Sequence, residues 1–528
     1  MQKTIAGTGL ATEYRSVFDL SGVPAFGQFY EFGIFVWKWL WKGLYKPWHI
    51  IPAPTIADRR ATREMYRLNM AKAICAEMAG LIWGEECSVN VSINGYETTE
   101  ANPEDPLDCF VQNVLSDNAF REKMQESIET GCALGGNALK VWAEARRAEN
   151  GDEIPETRKV RVGYCNADQF IPIAWDNARV TEGVFISRIA KGGYYYTRLE
   201  WHRWNGTTYV ITNELFRAEM QKGAETESQD ILGVRYPLSE LFPYLEPETV
   251  VPVEESLFSY WRTPIANNLD DNSPLGMSIY GNALETLHAL DICYDSFVRE
   301  FRLGKKRIIV PARAVRTVVD PTTSEVVRYF DASDETYEAL ATDNPDELKI
   351  TDNSVVLRVD EHVRAINAFL SILCLQTGFS AGTFTFDAHE GLKTATEVIS
   401  ENSKTFKTIR TVQNQLRPAI EHLVRNIIDV AILYDMTDEN GTPVAQLAAP
   451  GYEIKVTFDD GITQDRQTNI NEGVLLVGAG IISKYTFLTE PKYGIGLTDE
   501  EAQKELERIR AESPGNISDS LSIFNAGG

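Results

Sequence analysis

Residues 272–307, NSPLGMSIYGNALETLHALDICYDSFVREFRLGKKR, decide how the rest of the chain is read, because they encode a long helix with two faces that need different neighbours. Ile279, Ala283, Leu287, Leu290, Tyr294, Phe297 and Phe301 follow one another in steps of four or three, which gathers them into one apolar stripe. That stripe must be buried. A second stripe, His288, Asp291, Asp295, Arg299 and Arg302, is charged and is expected to face solvent or a water-filled passage. A helix from Ser278 to Leu303 would span about 39 Å, long for a compact enzyme.

With 528 residues the chain exceeds one ordinary core, so two or more domains are expected. Hydrophobic content of 43% and charged content of 24% are those of a folded protein. The net charge of -25 argues against a protein that gains affinity by gripping phosphates, since that mode needs clustered Lys and Arg to release counterions. Seven cysteines, at 75, 87, 109, 132, 165, 293 and 374, contain no CxxC pair, so a reducing compartment is expected and not a disulfide framework. MQKTIAGTGLATEYRS has no apolar core of signal-peptide type, and the aromatic run from Phe29 to Tyr45 is broken by Glu31, Lys38 and Lys42. No membrane span is expected there; the run either packs on the rest of the fold, the reading preferred, or lies as an interfacial helix.

Residues 58–84 read as a helix with Met65, Leu68, Ile74, Met78, Leu81 and Ile82 inward, closed by Gly84. From Asn137 to Phe216 the period changes to two, with β-branched and aromatic segments punctuated by GG at 192 and NG at 205, the pattern of an antiparallel sheet with short hairpins. A boundary is expected at 267–274, NNLDDNSP. Beyond the long helix, Arg299, Arg302, Lys305, Lys306, Arg307, Arg313 and Arg316 give way to Asp320, Glu325, Asp331, Asp334, Glu335, Glu338, Asp343, Asp346 and Glu347. A small insert with a basic base and an acidic tip follows, its strands expected in RIIVPARAVRTVV, EVVRYF and SVVLRV, with a turn or short helix at 331–345. A helix over 361–377 leads into the loop GFSAGTFTFDAHEG, and from Thr394 an apolar pattern runs through Val398, Ile399, Phe406, Ile409, Val412, Leu416, Ile420, Leu423, Ile427 and Val430 to about Tyr434. Pro418 predicts a kink in that helix near Asn414. YEIKVTFDD returns to strand, and short helices follow at DRQTNINEGVLLVGAG and TDEEAQKELERIRAE, the last with Thr498 and Glu501 in capping-box spacing.

Motifs of catalysis are weak. GFSAG at 378–382 matches G-x-S-x-G, but a nucleophile elbow needs a strand before the serine and a helix after it, whereas a helix precedes Ser380. A soluble serine hydrolase using Ser380 is the alternative reading. GAGIIS at 478 lacks the third glycine of a dinucleotide fingerprint. No GxxxxGK followed by Ser or Thr occurs, so ATP hydrolysis is expected in a partner. The six histidines make no ligand spacing, and Asp270, Asp271 and Asn272 lack the rest of a calcium loop; no metal and no cofactor is expected.

The order of elements, together with PLGMSIYGNALETLHALDICYDSFVREFRLGKKRIIVP from 274, YYYTRLEWHRW from 194, AKAICAEMAGLIWGEE from 71, GLKTATEVISENSKTFKT from 391 and FDDGITQDRQTNINEGVLLVGAGIISK from 458, resembles bacteriophage portal proteins, most of all those of long-tailed phages with Gram-positive hosts. The resemblance implies an α+β, multi-domain portal fold: a β-rich wing over 1–274, a stem helix over 275–304, a clip over 305–358, a second stem helix over 359–377, a tunnel loop over 378–393, a long kinked wing helix over 394–436, and a C-terminal wing and crown over 437–528. It implies a non-enzymatic ring, typically of twelve copies, at one capsid vertex of the virion, assembled in the host cytoplasm. Double-stranded DNA would pass through it without sequence specificity during packaging and ejection. The implied partners are the terminase large subunit, a head-tail adaptor protein, and the major capsid and scaffolding proteins.

On this reading Asp291, Asp295, Arg299 and Arg302 face the channel. Thr383, Phe384, Thr385, Phe386, Asp387 and His389 belong to the tunnel loop, and Arg313, Arg316, Asp331, Asp334 and Glu335 dock partners at the clip. The acidic balance summed around a ring repels the duplex and favours sliding over sticking. For the basic residues from Arg302 to Arg316 two roles stay open, brief phosphate contact or pairing with the acidic clip of a neighbouring subunit, the second preferred. Phe379, Phe384 and Phe386 either touch DNA or pack between adjacent subunits, packing being preferred for Phe379 and the two at the tip staying open.

Overall fold

The computed structural model describes residues 13–14, 16–24, 28–54, 58–84, 87–96, 105–148, 152–177, 179–220, 231–304, 308–309, 316–319, 326–329, 351–352, 356–386, 395–458, 466–490, 497 and 499–512. Along them run helices α1 (Gln28–Trp41), α2 (Lys46–His49), α3 (Met70–Ile82), α4 (Pro106–Asp117), α5 (Phe120–Leu134), α6 (Leu284–Leu303), α7 (Val359–Thr377), α8 (Ala395–Leu433), α9 (Val444–Ala448), α10 (Arg466–Gly478), α11 (Lys484–Thr489) and α12 (Asp499–Glu512). With the strands below they make a mixed α+β chain. It divides into two units, residues 1–389 with 407–459, and residues 390–406 with 460–528. The boundary expected at 267–274 falls inside the first.

The first unit is organised by a seven-stranded antiparallel sheet in the order Glu13–Tyr14, Gly233–Tyr236, Thr208–Glu219, Tyr194–Asn205, Arg179–Lys191 and Phe170–Asp176, with Glu248–Val251 also pairing along Thr208–Glu219. The two hairpins expected from GG and NG are present: Lys191 pairs with Tyr194 around Gly192 and Gly193, and Asn205 with Thr208 around Gly206. All three glycines have positive φ, at 60°, 82° and 66°, which is the conformation tight hairpins need and side chains resist. Because neighbouring residues of a strand point to opposite faces, Ile171 and Val184 join Leu199, Trp201, Phe216 and Leu232 in one cluster, while Phe170 and Phe185 join Ala138, Val180 and Phe258 in another. Each face of the sheet thus carries a buried cluster.

Gly136–Glu144 and Lys159–Asn166, read from sequence as part of the same sheet, instead form a separate three-stranded sheet with Phe258–Arg262. Phe258–Arg262, which pairs with Gly136–Glu144, lies more than a hundred positions downstream of it, beyond the reach of local periodicity. Tyr452–Thr457, the strand expected in YEIKVTFDD, pairs with Ser88–Ile93. In the insert, Ile308–Ile309 pairs with Thr351–Asp352 and Arg316–Val319 with Val326–Tyr329. Residues 356–358, the described part of the SVVLRV stretch before α7, are not strand, and α7 begins at Val359.

Two helices differ from expectation. The helix over 58–84 is confined to α3; Thr62–Glu64 forms a hairpin with Ile50–Pro52, and residues 65–69 are extended or turned because distant groups bind their backbone, as described below. The long helix at 278 begins only at Leu284. Residues before it are held in an irregular path by close contact with the end of α5: Ile279 N–H donates to Cys132 O at 3.0 Å, and a Cβ on Gly135, whose φ is +92°, would stand 2.1 Å from Gly276 O. Only glycine fits there. Tyr280, fully buried, donates its hydroxyl to Trp37 O at 2.8 Å.

The aromatic run packs mostly inward through Ile34, Val36, Trp37 and Leu40, leaving Phe32 and Phe35 exposed. Among the described residues no helix is long and apolar enough to cross a membrane. Helix α8 runs from 395 to 433 with Ile409, Val412, Leu416, Ile420, Leu423, Ile427 and Val430 buried, the stripe that sequence spacing calls for. Pro418 lies inside it and deprives the Asn414 carbonyl of its intrahelical donor. In the second unit, the Ser483 hydroxyl caps α11 by accepting from Thr486 N–H at 3.0 Å, and Leu488 and Ala502 are buried. Thr498, expected as an N-cap, lies outside the described residues.

Candidate functional site

Helices α6 and α7 form an antiparallel pair: the Phe297 ring lies tilted against His362, centres 5.6 Å apart, and Arg358 binds Glu300 at 3.0 Å. That ion pair holds the Glu300 carboxyl below its usual range, first through the Arg358 side-chain hydrogen bond. On α6, Ala283, Leu287 and Leu290, the first part of the apolar stripe, are buried, whereas Phe301 is 45% exposed. On α7, Ile366, Leu370, Leu373, Cys374 and Thr377 are buried.

The charged stripe of α6 turns out to face protein. Asp291 and Asp295 were expected on the passage side, but both are buried, engaged by the strap of residues 48–68. Asp291 Oδ2 lies 2.9 Å from His49 Nε2, and its Oδ1 accepts from Leu68 N–H at 2.8 Å. Asp295 takes the Arg63 guanidinium in a two-pronged grip at 2.8 and 2.6 Å, and accepts from Tyr66 N–H at 3.1 Å. Those Arg63 bonds lead the causes that hold the Asp295 carboxyl below its ordinary range, against burial, which opposes ionisation. Trp48 stacks on His288 at 4.8 Å, and the Arg302 guanidinium stands 5.0 Å from the centre of the Tyr66 ring. Four members of the stripe thus pin the strap, and the two acids are unavailable to a channel in this conformation. Arg299 and Arg302 have exposed side chains.

The loop after α7 is anchored at its root. Gly378 ends the helix at φ +87°, its N–H and that of Phe379 both reaching Cys374 O, and the Thr408 hydroxyl donates to Gly378 O at 2.8 Å. Phe379 is fully buried and meets Phe384 edge-on at 5.2 Å; it packs within its own chain. The Thr383 hydroxyl donates to Ser380 O at 2.9 Å. Asn367 Oδ1 on α7 receives Phe386 N–H at 3.0 Å and the Thr385 hydroxyl at 3.5 Å. The chain therefore folds back along α7 and leaves Phe386 55% exposed. Asp387 and His389 lie outside the described residues.

Ser380 is 3% exposed and follows a helix, so its surroundings are not those of a nucleophile elbow. At the clip, the Arg316 backbone is in a strand, and Arg313, Asp331, Asp334 and Glu335 lie outside the described residues. Among the described residues no group of three His, Cys, Asp or Glu side chains could hold a metal ion. A concavity of about 1320 Å³ opens elsewhere, between α4, residues 155–160 and residues 434–447. None of the expected site residues lines it. His49, Arg63, Asn367 and Thr408 were not anticipated, and no local pattern marks them.

The family described as phage portal protein, SPP1 Gp6-like, matches residues 44–518. The chain belongs to the phage portal protein family. No curated protein matches this portal chain. Among solved structures, a chain from the virion of a native gene transfer agent particle resembles it at 10% identity and a TM-score of 0.33, over 78% of this chain and 85% of that one. In this portal family member the features at hand are therefore an antiparallel helix pair, a strap locked to its flank, and a loop rooted at its end.

Proposed function

We propose that copies of this chain close into a ring, typically of twelve, at one vertex of a phage capsid in the virion, and that the ring is a passive conduit for double-stranded DNA in packaging and ejection. Membership of the portal family supports this, and one structural observation carries it: α6 and α7 leave Ile292, Leu303, Ile372 and Leu375 between 45% and 69% exposed. Apolar side chains left exposed on both helices of a pair are what neighbouring subunits would cover. In this reading α6 and α7 are the stem, residues 305–358 the clip, 378–393 the tunnel loop, α8 the long wing helix, residues 1–274 the rest of the wing, and the C-terminal residues the crown. The acidic balance of the chain suits a bore that must not hold its cargo. Arg299, exposed and outside the set that holds the strap, is the member of the charged stripe best placed to act outside the chain, while the clip, with Arg313, Arg316, Asp331, Asp334 and Glu335, docks the terminase large subunit and later a head-tail adaptor. Major capsid and scaffolding proteins surround the ring during assembly in the host cytoplasm.

The reading is tested with particles assembled with and without this chain, immunogold-labelled for it. One labelled vertex per particle, and no packaged DNA when the chain is missing, is the expected result. Labels spread over all vertices, or normal filling without the chain, would refute it.

A further inference from the structure

We infer that the outward face of α6 in one copy packs on the outward face of α7 in the next, with Arg299 of α6 set against Glu361 of α7. This rests on the ring reading and assigns its stem interface. On α6, Ile292, Ser296, Arg299 and Leu303 are all exposed and recur in steps of four, three and four, hence on one side of the cylinder. On α7, Glu361, Ala368, Ile372 and Leu375 do the same in steps of seven, four and three. Each face combines a large aliphatic group with a small residue, Ser296 or Ala368, that lets a second helix approach.

Register follows from contacts inside one chain. The pair is antiparallel, with Arg358 bonded to Glu300 and His362 against Phe297, and Leu357 crowding Gly304. Residues at equal height are therefore Leu303 with residues 356–358, Arg299 with Asp360 and Glu361, and Ile292 with Asn367 and Ala368. Rotation about an axis along the pair preserves height, so these levels also meet between adjacent copies. Leu303, 57% exposed, then comes level with Val356, 86% exposed, and Ile292 comes to the Ala368–Ile372 surface. Between these two apolar contacts Arg299 reaches Glu361. Neither makes a close ion pair among the described residues and both are exposed; Arg299 acts on Asp295 and Glu361 on Arg358 only at longer range, which leaves each side chain able to reach the contact. Such a contact is head-to-tail, using two different patches per copy, as a closed ring requires. It also takes Arg299 out of the bore and into the joint.

The test is charge exchange in the full chain, with ring content measured by native mass spectrometry across a concentration series and monomer fold checked by circular dichroism. Arg299→Glu and Glu361→Arg each place like charges in every joint and should weaken assembly on the order of tenfold per interface; the double exchange should restore most of that loss. Rings in the wild type with no restoration in the double variant would overturn the pairing and leave the ring intact. A wild type that forms no rings at any concentration would overturn both.

Discussion

Replacing Asp295 by Ala is the most informative single perturbation of the strap. The wild-type residue is 4% exposed and its carboxylate receives three hydrogen bonds, two from Arg63 and one from Tyr66 N–H. Truncation leaves the Tyr66 amide and the guanidinium without their acceptor. A hydrogen bond to a buried charge contributes about 1.5–3 kcal/mol, and breaking a fully buried pair costs about 3–5 kcal/mol. The Arg63 side chain is 26% exposed and water recovers part of its loss, so a local destabilisation of about 2–3 kcal/mol is expected. Hydrogen exchange read at residues 62–68 should then accelerate roughly 30- to 150-fold, with little change in α8. Asp295→Asn, which keeps an acceptor for Tyr66 but not the charge for Arg63, should fall between. Because the folded-state pKa of Asp295 is depressed, its contribution is complete above about pH 4, the unfolded value, and is lost as pH falls through the folded one. Unchanged exchange in Asp295→Ala at neutral pH would refute the strap's dependence on this carboxylate.

Gly378→Ala should loosen the loop root by about 1–2 kcal/mol from the left-handed backbone alone, and its Cβ would also meet Thr408 Cγ2 at 2.8 Å; protease cleavage within 379–386 reports the change, and wild-type resistance would contradict it. Buried His422 titrates near 4, pushed down chiefly by loss of water, so the unfolded state binds a proton more readily between about pH 6.5 and that value and stability should decline across the window as pH falls. His422→Gln should flatten that slope in melts from pH 7 to pH 4, and an identical slope would exclude His422 as its source. Removing residues 313–347 should leave rings that fail to engage terminase, checked by co-sedimentation; retained binding refutes the clip assignment. Phe384→Ala with Phe386→Ala should change packaged-genome length more than ring yield, and an unaltered length counts against the tunnel-loop role.

The parts legible in the sequence are those whose determinants are local. The stripe from Ile409 to Val430 and the glycines at 192, 193 and 206 specify α8 and two hairpins without help from distant residues. The polar stripe of α6 shows where such reading stops. Asp291 and Asp295 sit where charges usually meet water, and only the fold brings His49 and Arg63, more than two hundred positions upstream, to their side. The same long-range grip keeps residues 65–69 out of α3 despite their helical spacing, and contact with α5 delays α6 to Leu284. The loop root is intermediate: Gly378 announces a helix end, but its lock by Thr408 is not written nearby.

Electron cryomicroscopy of the purified full-length chain, viewed along the symmetry axis, tests the central claim most directly. The account predicts closed annuli with the α6–α7 pairs around a hole wide enough for a DNA duplex. Particles that stay monomeric, or that stack into open filaments with no central opening, would contradict it.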